Sequence, residues 1–352
     1  MQRRPTSSDV ARLAGVSRTT VSFVLNDRQD VAISSETRAR VIHVARELGY
    51  HAHAGARQLA AGSTRTIGFV LRQSPEQVAS DALLPETLRG IASAARSDDF
   101  RVIVEPLPPE AGAYETLVRA RHVDGLVISG PRTDDTEVAS LAGDGFPVVL
   151  QGSLDGTPVP MVDIDNREAA REAVDHLLDL GHRHVAMVTN APLEYSAAAE
   201  RVAGYRDALE ARGVRVDEAS IVEGDFDPRS GHEAMRALLT RERRPTAVFV
   251  ASDVVAFGVY GALRDEGMRV PADVSVIGFD DIPLAAYADP PLTTVHVPAF
   301  ELGFAAGRSL LDLIAGRFVP PRSLLPAAVV RRGSTDPPRN SLAAPPERRV
   351  TQ

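Results

Sequence analysis

Residues 17–23 carry side chains that could bind nucleic acid. Arg18, Thr19 and Ser22 recur at the spacing of one outward helix face, and Phe23 lies beside them. A guanidinium donates to guanine O6 and N7 or to a phosphate, and hydroxyls donate to phosphates and base edges. Phe23 could contact a thymine methyl group or pack on its own domain. These residue types indicate a DNA-binding surface on which Arg18 reads a base or binds only phosphate.

Two short helical segments must position that surface. In the first, apolar residues recur every three or four positions, and Gly15 then opens a turn. Ser17 stands where the N-cap of the second helix belongs. Two helices joined by such a turn form a helix-turn-helix, whose second helix enters the DNA major groove, although an ordinary helical hairpin has the same pattern. The inner faces are expected to hold Val10, Leu13, Ala14, Val16, Val21, Val24 and Leu25.

A third helix completes a small N-terminal head. It is capped by Ser34 or Ser35 and ends at Gly49. Residues 1–65 contain ten Arg and five acidic residues, a net charge of +5, so the remainder carries −13 of the total of −8. A basic head on an acidic body is typical of a DNA-binding module attached to a regulatory or enzymatic domain. The inner face of the third helix is expected to hold Val41, Ile42, Ala45 and Leu48.

Composition excludes several classes of protein. The 352 residues suffice for two or three packing units, and the absence of Cys excludes disulfides and thiolate chemistry. No apolar run is long enough to span a membrane, and the polar N-terminus lacks the hydrophobic core of a signal peptide. We therefore expect a cytoplasmic protein with no membrane partner.

From Thr66 onward, apolar strands alternate with helices. This alternation predicts a doubly wound parallel sheet, formed twice, and ligands of such sheets bind at the carboxyl ends of the strands. Two facing sheets would enclose a cleft. Strands are predicted at 67–71, 100–105, 123–129, 146–150, 184–189, 220–225, 247–252 and 274–280, and helices at 84–97, 113–121, 135–144, 167–180, 199–212, 230–241 and 254–266.

Three patterns suggestive of catalysis or metal binding are weak. His182 and His184 have no further ligands nearby, and Asp163 with Asp165, followed by an asparagine, indicates a strand-to-helix cap. The GDGF sequence at 143–146 lacks the preceding strand and following helix of a dinucleotide site. There is no nucleophile elbow and no phosphate-binding loop. We therefore expect no catalytic residues, no metal and no cofactor.

Several separated motifs resemble the LacI family of bacterial transcription regulators. The segments DVARLAGVSRTTVSFVLN and SSETRARVIHVARELGY resemble the family's head, and ARQLAAG resembles its hinge helix. The segments VDIDNREAAREAVDHLLDLGHRHVAMVT, ERVAGYRDAL, SDVVAFGVYGALRDEGMRVPADVSVIGFDD and PPLTTVHVP resemble its sensor core. The resemblance extends to about Gly333.

This resemblance implies an all-α helix-turn-helix head and an α/β core, similar to periplasmic binding proteins, of two doubly wound parallel-sheet subdomains. The expected boundaries are a head at 1–50, a hinge at 51–65, a core at 66–333 and a disordered Pro-rich tail at 334–352. Within the core, the N-subdomain is expected at 66–164 and 294–318, and the C-subdomain at 165–291 and 319–333.

The resemblance also implies which residues contact DNA. Leu59 matches the hinge leucine that relatives insert into the minor groove, where an apolar wedge unstacks bases and kinks DNA; the alternative is a plain helix residue. Phe23 departs from the polar base-reader that many relatives have. The full set implied is Thr6, Ser17, Arg18, Thr19, Ser22, Phe23, Asn26, Ala56, Arg57 and Leu59.

For the effector, the resemblance implies a contact set in the cleft. Arg201 precedes Gly204 in the family's R-x-x-G position and offers a planar fork of donors, although it could form a surface salt bridge. Phe226 stacks on the ligand or packs in the core, and Asp253 accepts from the ligand or caps a helix. The set is Arg201, Asp280, Phe226, Asp253, Gln151 and Ser74, of which Gln151 and Ser74 are the weakest.

These expectations define a sequence-specific transcriptional regulator. We expect a repressor whose binding to a pseudo-palindromic double-stranded operator is controlled by a small-molecule effector, a sugar. The alternatives are a co-repressor type that responds to a nucleobase or another metabolite, a solute-binding protein, and a sugar-modifying enzyme. We expect a homodimer without a tetramerisation helix, because the tail lacks a leucine heptad.

Overall fold

The computed structural model describes residues 5–25, 28, 31–50, 63–107, 113–119 and 122–339. It divides into two compact units at Arg65, where the sequence pattern changes from helical to strand–helix alternation. The described helices are α1 (Ser7–Ala14), α2 (Arg18–Leu25), α3 (Ser35–Glu47), α4 (Pro75–Ser80), α5 (Leu84–Ser97), α6 (Ala113–Arg119), α7 (Glu137–Gly143), α8 (Asn166–Asp179), α9 (Ser196–Ala211), α10 (Pro228–Leu239), α11 (Asp253–Asp265) and α12 (Ala299–Ile314). Among these, no helix combines the length and apolar character needed to cross a lipid bilayer.

The first unit is a three-helix head around a small apolar core. Gly15 ends α1 in the left-handed conformation, with φ of 66°, which glycine adopts at low cost. Its buried residues are Val10, Ala11, Ala14, Val21, Val24, Val41 and Ala45. The expectation that Leu13 and Ile42 face inward is wrong: they are 53% and 38% exposed. In a head this small, only a narrow face of each helix is buried. Leu13 and Ile42 lie outside that buried face.

In the second unit, the N-subdomain is built on a six-stranded parallel sheet. Its strands are β1 (Thr66–Leu71), β2 (Arg101–Pro106), β3 (Leu126–Ser129), β4 (Val148–Gln151), β5 (Met161–Ile164) and β11 (Arg322–Leu325). They are ordered β11-β5-β4-β3-β1-β2. β1, β3 and β4 are almost wholly buried, as expected of parallel strands covered on both faces.

The C-subdomain is built on a four-stranded parallel sheet. Its strands are β6 (Val185–Val188), β7 (Ile221–Val222), β8 (Ala247–Val250) and β9 (Ser275–Ile277), ordered β7-β6-β8-β9. A two-stranded antiparallel ladder of β10 (Thr294–His296) and β12 (Ala328–Val330) forms a further sheet. The two parallel sheets confirm the expected doubly wound core.

Two expected boundaries are wrong. Residues 322–325, assigned from the sequence to the C-subdomain, pair with β5 and extend the N-subdomain sheet. The expected tail begins too early, because Ser334 is fully buried and its Oγ donates to Val276 O at 2.6 Å. Neither contact could be read from local pattern, since each joins residues far apart in the chain. Residues 340–352 lie outside the described part.

Candidate functional site

In the head, the second helix presents the predicted DNA-binding face to solvent. The hydroxyl of Ser17 accepts from Thr20 N at 3.0 Å and so caps α2, as the sequence predicts. Arg18, Thr19 and Ser22 are exposed. This arrangement leaves polar donors on the outer face of a helix whose inner face is packed.

Phe23 is partly buried rather than wholly outward. The guanidinium carbon of Arg28 lies 5.7 Å from the centre of its ring, a distance at which a cation is attracted to the ring face. Thr6, another predicted contact, is exposed and donates from N and Oγ1 to Asp9 Oδ2 at 2.9 and 2.7 Å. Asn26, Ala56, Arg57 and Leu59 lie outside the described residues.

In the core, Arg201 lies at the carboxyl ends of the C-subdomain strands. It is 8% exposed, and its guanidinium carbon lies 3.8 Å from the centre of the Phe279 ring. Nε donates to Asn166 Oδ1 at 2.9 Å, and Nη1 donates to Ala251 O at 2.7 Å. Within the described part of the chain Nη2 makes no hydrogen bond. The side chain is therefore held by two bonds, with one amino group left for a ligand.

Asp280 lies beside Arg201. Its Oδ1 is 3.9 Å from Arg201 Nη1, and its backbone has a φ of 115°. Burial raises the pKa of Asp280 to about 7, while Arg201 opposes the shift and Asp81 adds to it. Phe226 and Asp281 also have positive φ values, of 59° and 58°. Such strained residues cluster at ligand sites, where the surrounding structure holds them in place.

Three side-chain carbonyl oxygens near the strand ends have no hydrogen-bond partner among the described residues. Gln73 follows β1, Gln151 ends β4 and Asn190 follows β6. The side-chain oxygen of each is buried and makes no hydrogen bond in the described chain. An unmade hydrogen bond at a buried polar atom costs about 1–3 kcal/mol. Donor groups of a ligand would recover that free energy. Gln151 and Asp81 also line a pocket of about 90 Å³, which has room for a hydroxyl-bearing group or waters.

Phe226 forms an aromatic wall together with Tyr195. Their ring centres are 5.0 Å apart at an interplanar angle of 81°. The Tyr195 hydroxyl donates to Arg72 O, so this residue of the C-subdomain also reaches the N-subdomain. Tyr195 was not predicted, because no local pattern marks it. Nor were Gln73, Asp81, Asn166 and Asn190, whose importance comes from topology.

The geometry favours structural roles for two of the predicted effector contacts. Asp253 is fully buried; its Oδ1 accepts from Thr294 Oγ1 at 2.6 Å, and its Oδ2 accepts from Ile282 N at 3.0 Å. Ser74 caps α4, since its Oγ accepts from Gln77 N at 3.3 Å and donates to Glu76 at 2.9 Å. Both side chains have protein partners that account for their positions.

The chain thus contains a helix-turn-helix head and a two-subdomain cleft lined with hydrogen-bonding groups. Two family models match it: "Bacterial regulatory proteins, lacI family" over residues 6–53 and "Periplasmic binding protein-like domain" over residues 174–335. The HTH-type transcriptional regulator CelR of Thermobifida fusca is 36% identical over 92% of this chain and 96% of that protein. Catabolite control protein A of Priestia megaterium is 36% identical over 86% of this chain and 90% of its own.

The solved structures that resemble this chain also include LacI-family regulators. A complex of the regulator CelR with cellobiose has a TM-score of 0.72 at 34% identity and covers 94% of this chain and all of that one. A lac repressor dimer bound to operator and an anti-inducer has a TM-score of 0.83 at 30% identity and covers 95% of this chain and all of that one. Fold, site and relatives define a DNA-binding transcriptional regulator controlled by a ligand, and not an enzyme. The chain belongs to the LacI family.

Proposed function

We propose that this regulator is a repressor that a neutral sugar releases from its operator. The observation that carries the choice of ligand is the set of buried, unpartnered carbonyl oxygens of Gln73, Gln151 and Asn190. Sugar hydroxyls donate to such oxygens, while the free amino group of Arg201 donates to a sugar oxygen. The Phe226 ring offers an apolar face for the sugar ring.

Charge favours a neutral ligand over an anionic one. The guanidinium of Arg201 lies under the influence of four carboxyl groups, those of Asp280, Asp163, Glu200 and Asp253. An added phosphate or carboxylate would be repelled by these acids in a poorly hydrated site. Cellobiose is the first candidate, because the CelR relative was solved in complex with it.

Titration calorimetry of the purified chain with cellobiose, glucose, other disaccharides and a purine base tests the ligand. We expect saturable binding of a sugar, and a sugar-dependent fall in affinity for DNA from the promoter region of its own gene. A typical coupling of about 1–3 kcal/mol changes operator affinity roughly 5–150-fold. Binding of the purine base alone would contradict the proposal that the effector is a sugar. A lack of specific DNA binding under every condition would contradict the proposal that the protein is a repressor.

We infer that the working form is a homodimer. One head is too small for high specificity, and two heads on a two-fold axis read a pseudo-palindrome. Leu284 and Tyr287 of the C-subdomain are 63% and 85% exposed, which suits burial against a second copy. Light scattering should give twice the 37.6 kDa mass of one chain. The double variant Leu284→Glu, Tyr287→Glu should shift that mass toward one chain; an unchanged mass would remove this face from the interface.

The proposed switch acts through the hinge at 51–65, and its residues Ala56, Arg57 and Leu59 are proposed to line the minor groove. Sugar binding changes the angle of the cleft, and the hinge segments of a dimer then lose register with the half-sites. Leu59→Ala should weaken specific operator binding far more than nonspecific binding, and equal losses in both would exclude the wedge. A regulator of chromosomal DNA works in the cytoplasm, where we place this one.

A further inference from the structure

A second cavity lies at the end of the C-subdomain sheet opposite the cleft. It has a volume of about 610 Å³ and opens beside residues that precede β6, β7 and β8. Small-molecule sites have volumes of about 300–1,000 Å³. Because the strands are parallel, their amino ends form this cavity and their carboxyl ends form the cleft.

The rim of this cavity is rich in arginines that form no ion pair within the described part of the chain. Arg215 and Arg243 are exposed, and neither forms an ion pair with any residue that the structure describes. Arg183 Nη1 donates to Leu178 O and His182 O at 3.1 and 2.9 Å, bonds that fix the guanidinium without neutralising it.

The two acids of the rim are neutralised by arginines from outside it. Asp217 Oδ2 accepts from Arg241 at 2.7 Å, and Glu218 accepts from Arg206 Nε and Nη2 at 3.0 and 2.6 Å. Three rim arginines therefore remain in excess. His184 also lies on the rim and adds no charge near pH 7, because burial and the nearby charge of Arg243 lower its pKa.

Part of the cavity wall is apolar. Arginine forks bind phosphate through paired hydrogen bonds, and an apolar wall beneath them accommodates an organic group. The wall residues are Val185, Tyr205, Leu209, Val214 and Val216. We propose that this cavity is a binding site for an organic phosphate, held at its phosphate by Arg183, Arg215 and Arg243.

The site is chemically distinct from the cleft and does not rest on the proposed sugar. The cleft sets several carboxyl groups around one arginine, whereas the second cavity has arginines in excess. The two sites share one helix, since Arg201 and Tyr205 lie one turn apart on α9. The organic group of the ligand would therefore lie beside an element that also forms the cleft.

Titration calorimetry with phenyl phosphate, which has no sugar hydroxyls, tests the site on the full chain. We expect saturable binding at about 1 mM or tighter. The double variant Arg215→Ala, Arg243→Ala should bind at least about tenfold more weakly, because two charge-assisted contacts are lost. Arg264→Ala, an exposed arginine of the same subdomain whose contact is Asp265 at 3.3 Å, is the matched control and should bind like wild type.

Three results would overturn the proposal. They are no saturable binding to wild type, an equal loss in the Arg264→Ala control, and affinity for inorganic phosphate equal to that for phenyl phosphate, which would leave the apolar wall without a role. An unchanged thermal melting temperature in the double variant establishes that any loss comes from the site and not from unfolding. If that variant melts early, Arg215→Gln and Arg243→Gln are measured singly, and retention of wild-type affinity by both contradicts the site.

Discussion

The side-chain amide of Gln77 donates from Nε2 to Asp225 Oδ1 at 2.7 Å and so joins the N-subdomain to the C-subdomain. The other end of the same amide, Oε1, accepts from Ser74 N at 2.9 Å and completes the cap of α4. Thr133 N adds a second link between the subdomains, by donating to Glu194 O at 2.7 Å. Both bonds cross from one subdomain to the other, so they help to hold the cleft in the arrangement seen here.

Gln77→Glu is expected to weaken sugar binding by about 2–10-fold, the effect of losing one hydrogen bond that joins the two subdomains. The new carboxylate still accepts a hydrogen bond from Ser74 N. It has no N–H to donate to Asp225, and its negative charge repels the Asp225 carboxylate. Titration calorimetry measures the loss. The double variant Q77E/D225N exchanges donor and acceptor and should recover most of the affinity; no recovery would show that this bond does not hold the cleft closed.

Arg201→Lys should weaken sugar binding by about 10–100-fold, because a lysine cannot make the planar set of charged hydrogen bonds, each worth about 1.5–3 kcal/mol. Arg206→Lys is the matched control, since Arg206 lies on the same helix but binds Glu218 at the surface. Calorimetry at one pH and salt concentration compares the two. Wild-type affinity in Arg201→Lys would exclude a ligand contact by Arg201.

Sugar affinity should fall as the pH is lowered from 8 to 6. Asp280 has a pKa raised to about 7, so it is ionised and accepts hydroxyl bonds above that pH, and it gains a proton below it. Arg201, Asp81 and Asp253 are the charged groups that act on it. Calorimetry across this range should show the loss in wild type and a flatter profile in Asp280→Asn. An equally steep profile in that variant would assign the titration to another group.

Arg18→Ala distinguishes base reading from phosphate binding. If Arg18 reads guanine, the variant loses about 1–3 kcal/mol for the operator and discriminates less at one position; a phosphate contact weakens binding to every sequence alike. We expect the first result, because Arg18 begins the exposed face of α2. Fluorescence anisotropy with operator and scrambled DNA measures both affinities. Arg46→Ala, an exposed arginine on α3, serves as the control and should change binding little.

The sequence by itself determined the order and type of most elements. Helix 84–97 and the strands near 67–71 and 247–252 follow from apolar spacing, which acts between residues near in the chain. It also determined the turn at Gly15, where a left-handed residue is required. Family motifs then placed Arg201 and Asp280 together, and their atoms lie 3.9 Å apart in the structure.

Only the tertiary structure decided which residues complete the cleft. Gln73, Asn190 and Tyr195 come from different strands and loops, and they meet because parallel strands end at the same edge of a sheet. In the structure Asp253 is buried and accepts hydrogen bonds from two protein donors. Residues 322–325 form an additional strand of the N-subdomain sheet. Local periodicity reports which face of an element is buried. It carries no information on which distant element covers that face, because such contacts depend on the path of the whole chain.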